Sequence, residues 1–175
     1  ADIFSCKEMW KSITVEDGAT LIVRHSNIED AQYAILAKDG ANLNVSITTF
    51  NNNYIGIQTP KTINATQNNI NFNSFYGNTF TSDGNLKEPY PNQSPIPDVL
   101  PYAGINLNNV PFISINYAPQ VKTTFSNLAN GIVSYNSTLT LGNVDFLNIQ
   151  AIPNTTYPIS GRGISARSNS LLHTL

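Results

Sequence analysis

Apolar residues in the first third of the chain recur at a fixed interval of 22 positions. The recurring residues are an isoleucine, an alternating apolar pair and a larger apolar residue: Ile13, Ile35 and Ile57; Leu21-x-Val23 and Leu43-x-Val45; and Ile28, Phe50 and Phe72. A Gly-Ala pair recurs at the same interval, as Gly18-Ala19 and Gly40-Ala41. A fixed period of this length is typical of solenoids, whose repeats bury their apolar side chains only against neighbouring repeats.

Within each repeat, apolar and polar positions alternate, which predicts strands with one buried face. No segment shows a sustained helical period. The repeat is also too short for a strand–helix–strand crossover, which needs about 30 residues. The pattern therefore predicts a right-handed, single-stranded parallel β-helix, an all-β solenoid in which each strand lies about 4.8 Å from its copy. In that fold Ile13, Ile35 and Ile57 lie above one another.

The same pattern returns later in the chain and predicts about six coils, the last of them incomplete. Leu139-Thr140-Leu141 repeats the strand, and Gly-Ile pairs mark coil openings at Gly56, Gly104, Gly131 and Gly163. Residues predicted to be buried are Leu21, Val23, Ile28, Leu43, Val45, Phe50, Leu139, Leu141 and Phe146. Proline-rich stretches predict two loop insertions, at about 81–102 and 151–161, because proline cannot take part in a regular central strand. We interpret residues 1–175 as one domain cut from a longer chain.

Composition changes this picture in one respect, because polar residues replace charged ones. Charged residues make up 11% of the chain and asparagine accounts for 25 positions, against a usual charged share of about a quarter. Neutral side chains suit stacked ladders, in which repeated like charges would repel. The net charge of −2 argues against nucleic-acid partners and anionic membranes, since both require clustered lysine and arginine. No apolar run approaches a membrane span.

The N-terminal residues resemble a known class of protein. Two stretches carry the resemblance: Cys6-x-x-Met9-Trp10-x-x-Ile13-x-Val15-x-x-Gly18-Ala19-x-Leu21 and Ser26-x-Ile28-Glu29-Asp30-Ala31-x-Tyr33-Ala34-Ile35. They look like the opening of β-helical regions in large secreted bacterial surface proteins exported by the type IX route, with a pectate-lyase-like fold. The resemblance covers roughly residues 5–57. It implies secretion, surface display and flanking domains in the same parent chain, but this fold hosts enzymes, adhesins and passive stalks alike.

The candidate chemistry is sparse, because acidic residues do not cluster in the sequence. Polysaccharide-cleaving members of this fold need grouped carboxylates for calcium or for acid–base work. Asp17 and Asp39 do stack at the 22-residue interval. A calcium ion could bridge them, but we favour two copies of an Asp-Gly turn, because calcium requires six or more oxygen ligands. We predict no catalytic residue, no metal site and no cofactor.

Tyrosines around the first insertion are the candidate ligand-binding residues, namely Tyr76, Tyr90 and Tyr102. Exposed tyrosines on a rigid loop can stack on sugar rings or on a protein surface, and they can equally well pin the loop to the stack. We therefore expect a non-enzymatic structural or adhesive β-helix segment, secreted or on the cell surface, whose partner is a glycan or a surface protein. The alternatives are a carbohydrate-binding or vestigial polysaccharide-active domain, and a working lyase whose acids lie outside this segment.

Overall fold

A computed structural model describes residues 1–61, 67–89, 100–115, 121–152 and 160–174 of the chain. The described residues form eighteen strands and no helix, and consequently no helix that could cross a lipid bilayer. Every pairing between these strands is parallel. The predicted all-β, parallel architecture is confirmed, and it is consistent with a parallel β-helix solenoid.

The chain visits the sheets in a fixed order, so each sheet collects every third strand. Sheet 1 contains β1 (Asp2–Ile3), β4 (Asn27–Glu29), β7 (Thr49–Asn51), β10 (Thr79–Thr81), β13 (Thr123–Ser126) and β16 (Val144–Leu147). Sheet 2 contains β2 (Trp10–Val15), β5 (Ala31–Ala37), β8 (Ile55–Gln58), β11 (Ala103–Asn108), β14 (Asn130–Tyr135) and β17 (Arg162–Arg167). Two smaller sheets hold β3 (Thr20–Arg24), β6 (Asn42–Ser46) and β9 (Asn71–Tyr76), and β12 (Ile113–Ile115), β15 (Thr138–Leu141) and β18 (Leu171–Thr174).

The isoleucine column of sheet 2 confirms the predicted register. Ile13 pairs with Ile35, and Ile35 pairs with Ile57. Each of the later Gly-Ile pairs adds its isoleucine to the same column, as Ile105, Ile132 and Ile164. Leu21 and Val23 likewise pair with Leu43 and Val45. The 22-residue interval thus reports the true stacking of the first coils.

A phenylalanine column runs through sheet 1, and it corrects one predicted alignment. Ile28 pairs with Phe50 as expected, but Phe50 pairs with Phe80 and not with Phe72. Phe72 instead pairs with Leu43 in the next sheet along the chain. The cause is a longer connection: residues 59–70 join β8 to β9, whereas residues 38–41 join β5 to β6. The 22-residue interval is therefore lost after β8, although the strands that follow still pair with those of the preceding coil.

Three residues predicted to be buried are only partly buried: Leu21, Val23 and Phe146. They pack against the core, but Leu21 and Val23 lie on the first strand of their sheet and Phe146 lies on the last strand of sheet 1. No described strand covers their outer sides. The other six predicted core residues are buried.

The predicted insertions fall between β10 and β11 and between β16 and β17. Residues 90–99 and 153–159 of these insertions lie outside the described residues.

Asparagine is the most frequent residue with a positive φ at the corners between the described strands, occurring at six of them. At nearly every corner one residue adopts a positive φ, a region that asparagine tolerates better than most residues. After sheet 1 these residues are Asp30, Asn52, Asn127 and Asn148; after sheet 2 they are Gly18, Gly40, Asn109, Asn136 and Ser168. The asparagine side chains also join successive coils, since Asn136 donates to Asn109 over 2.8 Å and Asn148 donates to Asn127 over 2.7 Å.

Buried asparagines stabilise the corners through hydrogen bonds from their side chains to backbone groups. Asn53 accepts a 2.8 Å hydrogen bond from the Ala31 amide and donates one of 2.8 Å to the Ile28 carbonyl, both in the preceding coil. Asn78 bonds in the same way to the Thr48 amide and the Val45 carbonyl. Because each side chain satisfies two backbone groups at once, burial of these amides carries little desolvation cost.

The glycines of the Gly-Ile pairs make room for the phenylalanine column. A Cβ atom on Gly104 would lie 2.5 Å from Cδ1 of Phe125, and one on Gly56 would lie 2.6 Å from Cδ1 of Phe80. These distances are far below van der Waals contact. Glycine is therefore required at these two positions because a side chain would not fit, and not because of the backbone conformation.

Gly104→Ala should destabilise the fold by about 1–3 kcal/mol, the usual cost of forcing an extra methyl into a packed core. Gly84→Ala is the matched control, because a Cβ there meets nothing within 4 Å, and it should change stability by less than about 0.5 kcal/mol. Urea melts of both variants measure the difference. Equal midpoints for the two variants would show that sheet 2 does not pack against the phenylalanine rings as described.

Candidate functional site: a tyrosine row and a loop clasp

The three tyrosines singled out from the sequence lie in different places. Tyr102 directly precedes β11 on sheet 2, whereas Tyr76 ends β9 on another sheet. Both side chains are half-buried. Tyr90 lies outside the described residues. Tyr76 and Tyr102 therefore do not lie together in one site. Ligand binding by these residues stays a prediction.

Tyr102 instead belongs to a row of three tyrosines along sheet 2. Its ring centroid lies 6.0 Å from that of Tyr54, and the Tyr54 centroid lies 6.5 Å from that of Tyr33. We call Tyr33, Tyr54 and Tyr102 the tyrosine row. Tyr54 and Tyr102 each stand three positions before a column isoleucine, and this shared offset is a sequence signal that would have identified the pair.

Burial alters the acidity of the whole row. It raises the pKa of Tyr54 from 10.0 to about 12, and the neighbouring Tyr33 and Tyr102 add to that effect. The pKa values of Tyr33 and Tyr102 are also raised, mainly by burial. For Tyr102 the positive charge of Arg167 opposes the rise in pKa. All three phenols are therefore uncharged at neutral pH and can both donate and accept hydrogen bonds.

The described start of the first insertion lies against the stack as a clasp, which we define as residues 82–89. Lys87 forms a 2.6 Å ion pair with Asp30 and donates a 2.6 Å hydrogen bond to the Ser5 carbonyl. The Glu88 carbonyl accepts a 2.8 Å hydrogen bond from the Met9 amide. Leu86 is only 2% exposed. The clasp leaves β10, the fourth strand of sheet 1, and contacts residues beside the first two strands of that sheet and the first strand of sheet 2. It therefore ties together parts of the chain that are distant in sequence.

The Asp-Gly pairs form turns, as favoured from the sequence. Gly18 and Gly40 have φ of 71° and 76°, and the turns are closed by hydrogen bonds from the Ala19 and Ala41 amides, of 3.0 and 3.1 Å. Asp39 accepts a 2.7 Å hydrogen bond from the Asn69 amide. In the part of the chain that the structure describes, no three histidine, cysteine, aspartate or glutamate side chains gather closely enough to hold a metal ion.

In comparisons with known proteins, no family model, no curated protein and no solved structure matches the chain.

Alkaline pH should destabilise the fold through the tyrosine row. Tyr54 has an ordinary pKa of 10.0 when unfolded and a pKa of about 12 when folded. Between these values the unfolded state binds fewer protons, so the free energy of unfolding falls as pH rises through that window. Stability is unaffected by this group below pH 10. Urea melts across the window should show a shallower decline for Tyr54→Phe than for the unaltered chain, and identical slopes would contradict the assignment.

Removing the cation of the clasp should destabilise the first coil. The Asp30 side chain is 4% exposed, so Lys87→Met leaves a buried carboxylate without its ion-pair partner, at a cost of about 2–4 kcal/mol. Lys122→Met is the control, because the Lys122–Asp145 pair is 59% and 39% exposed and such pairs contribute under about 1 kcal/mol. Equal shifts in the urea midpoint would show that the clasp contributes no more than a surface ion pair.

Proposed function

We propose that the chain is a right-handed parallel β-helix of six coils, the last incomplete, and that it acts as a non-enzymatic structural or adhesive segment of a secreted or surface-displayed protein. Right-handedness rests on the strong preference of crossovers between parallel strands. The number of coils rests on the number of strands in sheets 1 and 2. Type IX export and a pectate-lyase-like fold rest on the resemblance of residues 5–57 alone.

One observation carries the proposal: side chains of the same kind continue from coil to coil through the interior. Phe50, Phe80, Phe125 and Phe146 stack with centroids 4.6, 4.8 and 5.2 Å apart. A gap lined by Phe50, Phe80 and Leu128 has no space for a water molecule. An interior filled in this way favours a stiff element whose length depends on the number of coils.

Such an element suits a structural role because its sides can carry variable loops while its ends can join other domains. The sides carry loops and corners that can vary without disturbing the stacked strands. Among the described strands, the one at each end of a sheet pairs with another strand on one side only, and flanking domains of a parent chain would cover its other edge. The segment would then hold those domains apart or present its loops to a partner.

Carbohydrate binding, or a vestigial polysaccharide-active domain, is the second candidate, and the tyrosine row is the observation that favours it. A lyase whose acids lie in other coils is a third reading, which no described residue favours.

The proposal predicts that the purified chain cleaves no polysaccharide. It should release neither unsaturated nor reducing sugar ends from pectin-like, other acidic or neutral glycans, with or without calcium, beyond a heat-denatured control. Product release that a single point change in this chain abolishes would overturn the non-enzymatic assignment.

Surface display predicts that an antibody raised against the chain labels intact source cells. Labelling should be as strong before membrane permeabilisation as after it, with a cytoplasmic protein as the control that is labelled only afterwards. Labelling that requires permeabilisation, together with absence from the culture medium, would overturn the location.

A further inference from the structure

The clasp contacts a part of the chain that is complete before the clasp begins. Five residues contact it there, and we call them the clasp seat: Ser5, Glu8, Met9, Asp30 and Asn52. All five precede β8, whereas the clasp follows β10. The seat therefore includes no residue of the segment that carries the clasp, and every copy of the chain presents the same seat.

The chemistry of the clasp seat restricts what can occupy it. Lys87 Nζ lies 2.6 Å from the carboxylate of Asp30. One residue further on, the Glu88 carbonyl accepts a 2.8 Å hydrogen bond from the Met9 amide, and Glu88 pairs in parallel with Glu8. An occupant must therefore run parallel to the chain at this point, place a cation beside Asp30 and offer a carbonyl oxygen to the next amide.

A clasp that leaves its seat loses contacts that water does not replace. Leu86 is 2% exposed, so its side chain would pass from the protein into water. Asp30, whose side chain is 4% exposed, would lose the cation that neutralises it. An open clasp and an empty seat therefore favour a replacement partner. The clasp of a second copy has the matching chemistry, because it is the same segment.

Two features of the clasp favour its departure from the seat. Glu8 and Glu88 lie directly opposite each other and both are exposed, so their like charges repel. At the base of the clasp, residues 83–85 are exposed, and a Cβ atom on Gly84 would meet nothing within 4 Å. Because glycine adopts many backbone conformations, the base can bend while the rest of the clasp keeps its form.

We propose that two copies of the chain exchange their clasps, so that residues 82–89 of each copy lie in the clasp seat of the other. This interaction goes beyond the structural role. Lys87 of one copy would pair with Asp30 of the other, and the Glu88 carbonyl of one would accept the hydrogen bond from Met9 of the other. Exchange replaces each contact with an identical one, so its main cost is the association of two chains. High protein concentration should therefore favour it.

Disulfide trapping between two different chains tests the exchange. Both chains carry Cys6→Ser, which removes the one cysteine of the sequence. One chain also carries Glu8→Cys and the other Glu88→Cys. Paired strands are separated by about 4.8 Å, a distance between Cα atoms that a disulfide can span. When the two chains are mixed in urea, refolded together at high concentration and oxidised, a disulfide-linked heterodimer should form.

Glu16→Cys in place of Glu8→Cys is the matched control for this experiment. Glu16 is also exposed and lies outside the clasp seat, so its cysteine meets the one at position 88 only by random collision. The heterodimer should be lost in this pairing. Non-reducing electrophoresis measures the yields, and mass spectrometry of the linked peptides identifies the two cysteines.

A chain that carries Cys6→Ser together with both Glu8→Cys and Glu88→Cys separates exchange from closure within one copy. Oxidised while dilute, it should lock its own clasp and stay monomeric when concentrated, whereas the unaltered chain should form dimers in sedimentation equilibrium. Reduction of the locked chain should restore its dimers. Three results would overturn the proposal: equal heterodimer yields for Glu8→Cys and Glu16→Cys, dimers of the locked chain at the same concentrations, or an unaltered chain that stays monomeric at millimolar concentration.

Discussion

Parallel stacking of the phenylalanine rings in sheet 1 determines where the neighbouring glycines and the next coil can lie. Aromatic rings stack favourably at nearly the distance that separates paired strands, and the central rings lie 4.6 and 4.8 Å apart. The glycines before the column isoleucines are required because the rings occupy the space of a Cβ atom. Residues with a positive φ, six of them asparagines, turn the chain at the corners between strands. A change in the position of one ring would therefore disturb both the glycine on sheet 2 and the coil above it.

The polar residues complete this arrangement without charge. Asparagine tolerates the left-handed conformation that the corners require. Its side-chain amide also forms a hydrogen bond with the side-chain amide of the asparagine at the same corner of the adjacent coil. Repeated acids or bases at these corners would lie close enough to repel. Stacking therefore favours asparagine over charged residues at these corners.

The sequence allowed prediction of those parts of the fold that depend on a regular interval. The isoleucine column was predictable because Ile13, Ile35 and Ile57 keep one spacing, and the Gly-Ile pair extended it through coils of different length. Phe80 was not predictable as the partner of Phe50. The connection of residues 59–70 is longer than its counterpart in the preceding coil, so Phe80 lies 30 residues after Phe50 rather than 22, although the two strands still pair in register. The clasp was also missed, since Lys87 and Asp30 are joined by no periodic pattern. Of the candidate site, the sequence indicated Tyr102 but not its neighbours Tyr33 and Tyr54.

Phe80→Ala tests whether stacked phenylalanines hold successive coils together. Phe80 lies between Phe50 and Phe125 and is 1% exposed, whereas Phe112 is 60% exposed and provides the control. Urea unfolding should show a loss of about 3–5 kcal/mol for Phe80→Ala and under about 1 kcal/mol for Phe112→Ala. Amide hydrogen exchange should rise in both neighbouring strands of sheet 1, β7 and β13. An unchanged midpoint for Phe80→Ala, or exchange that rises only in β10, would contradict the account.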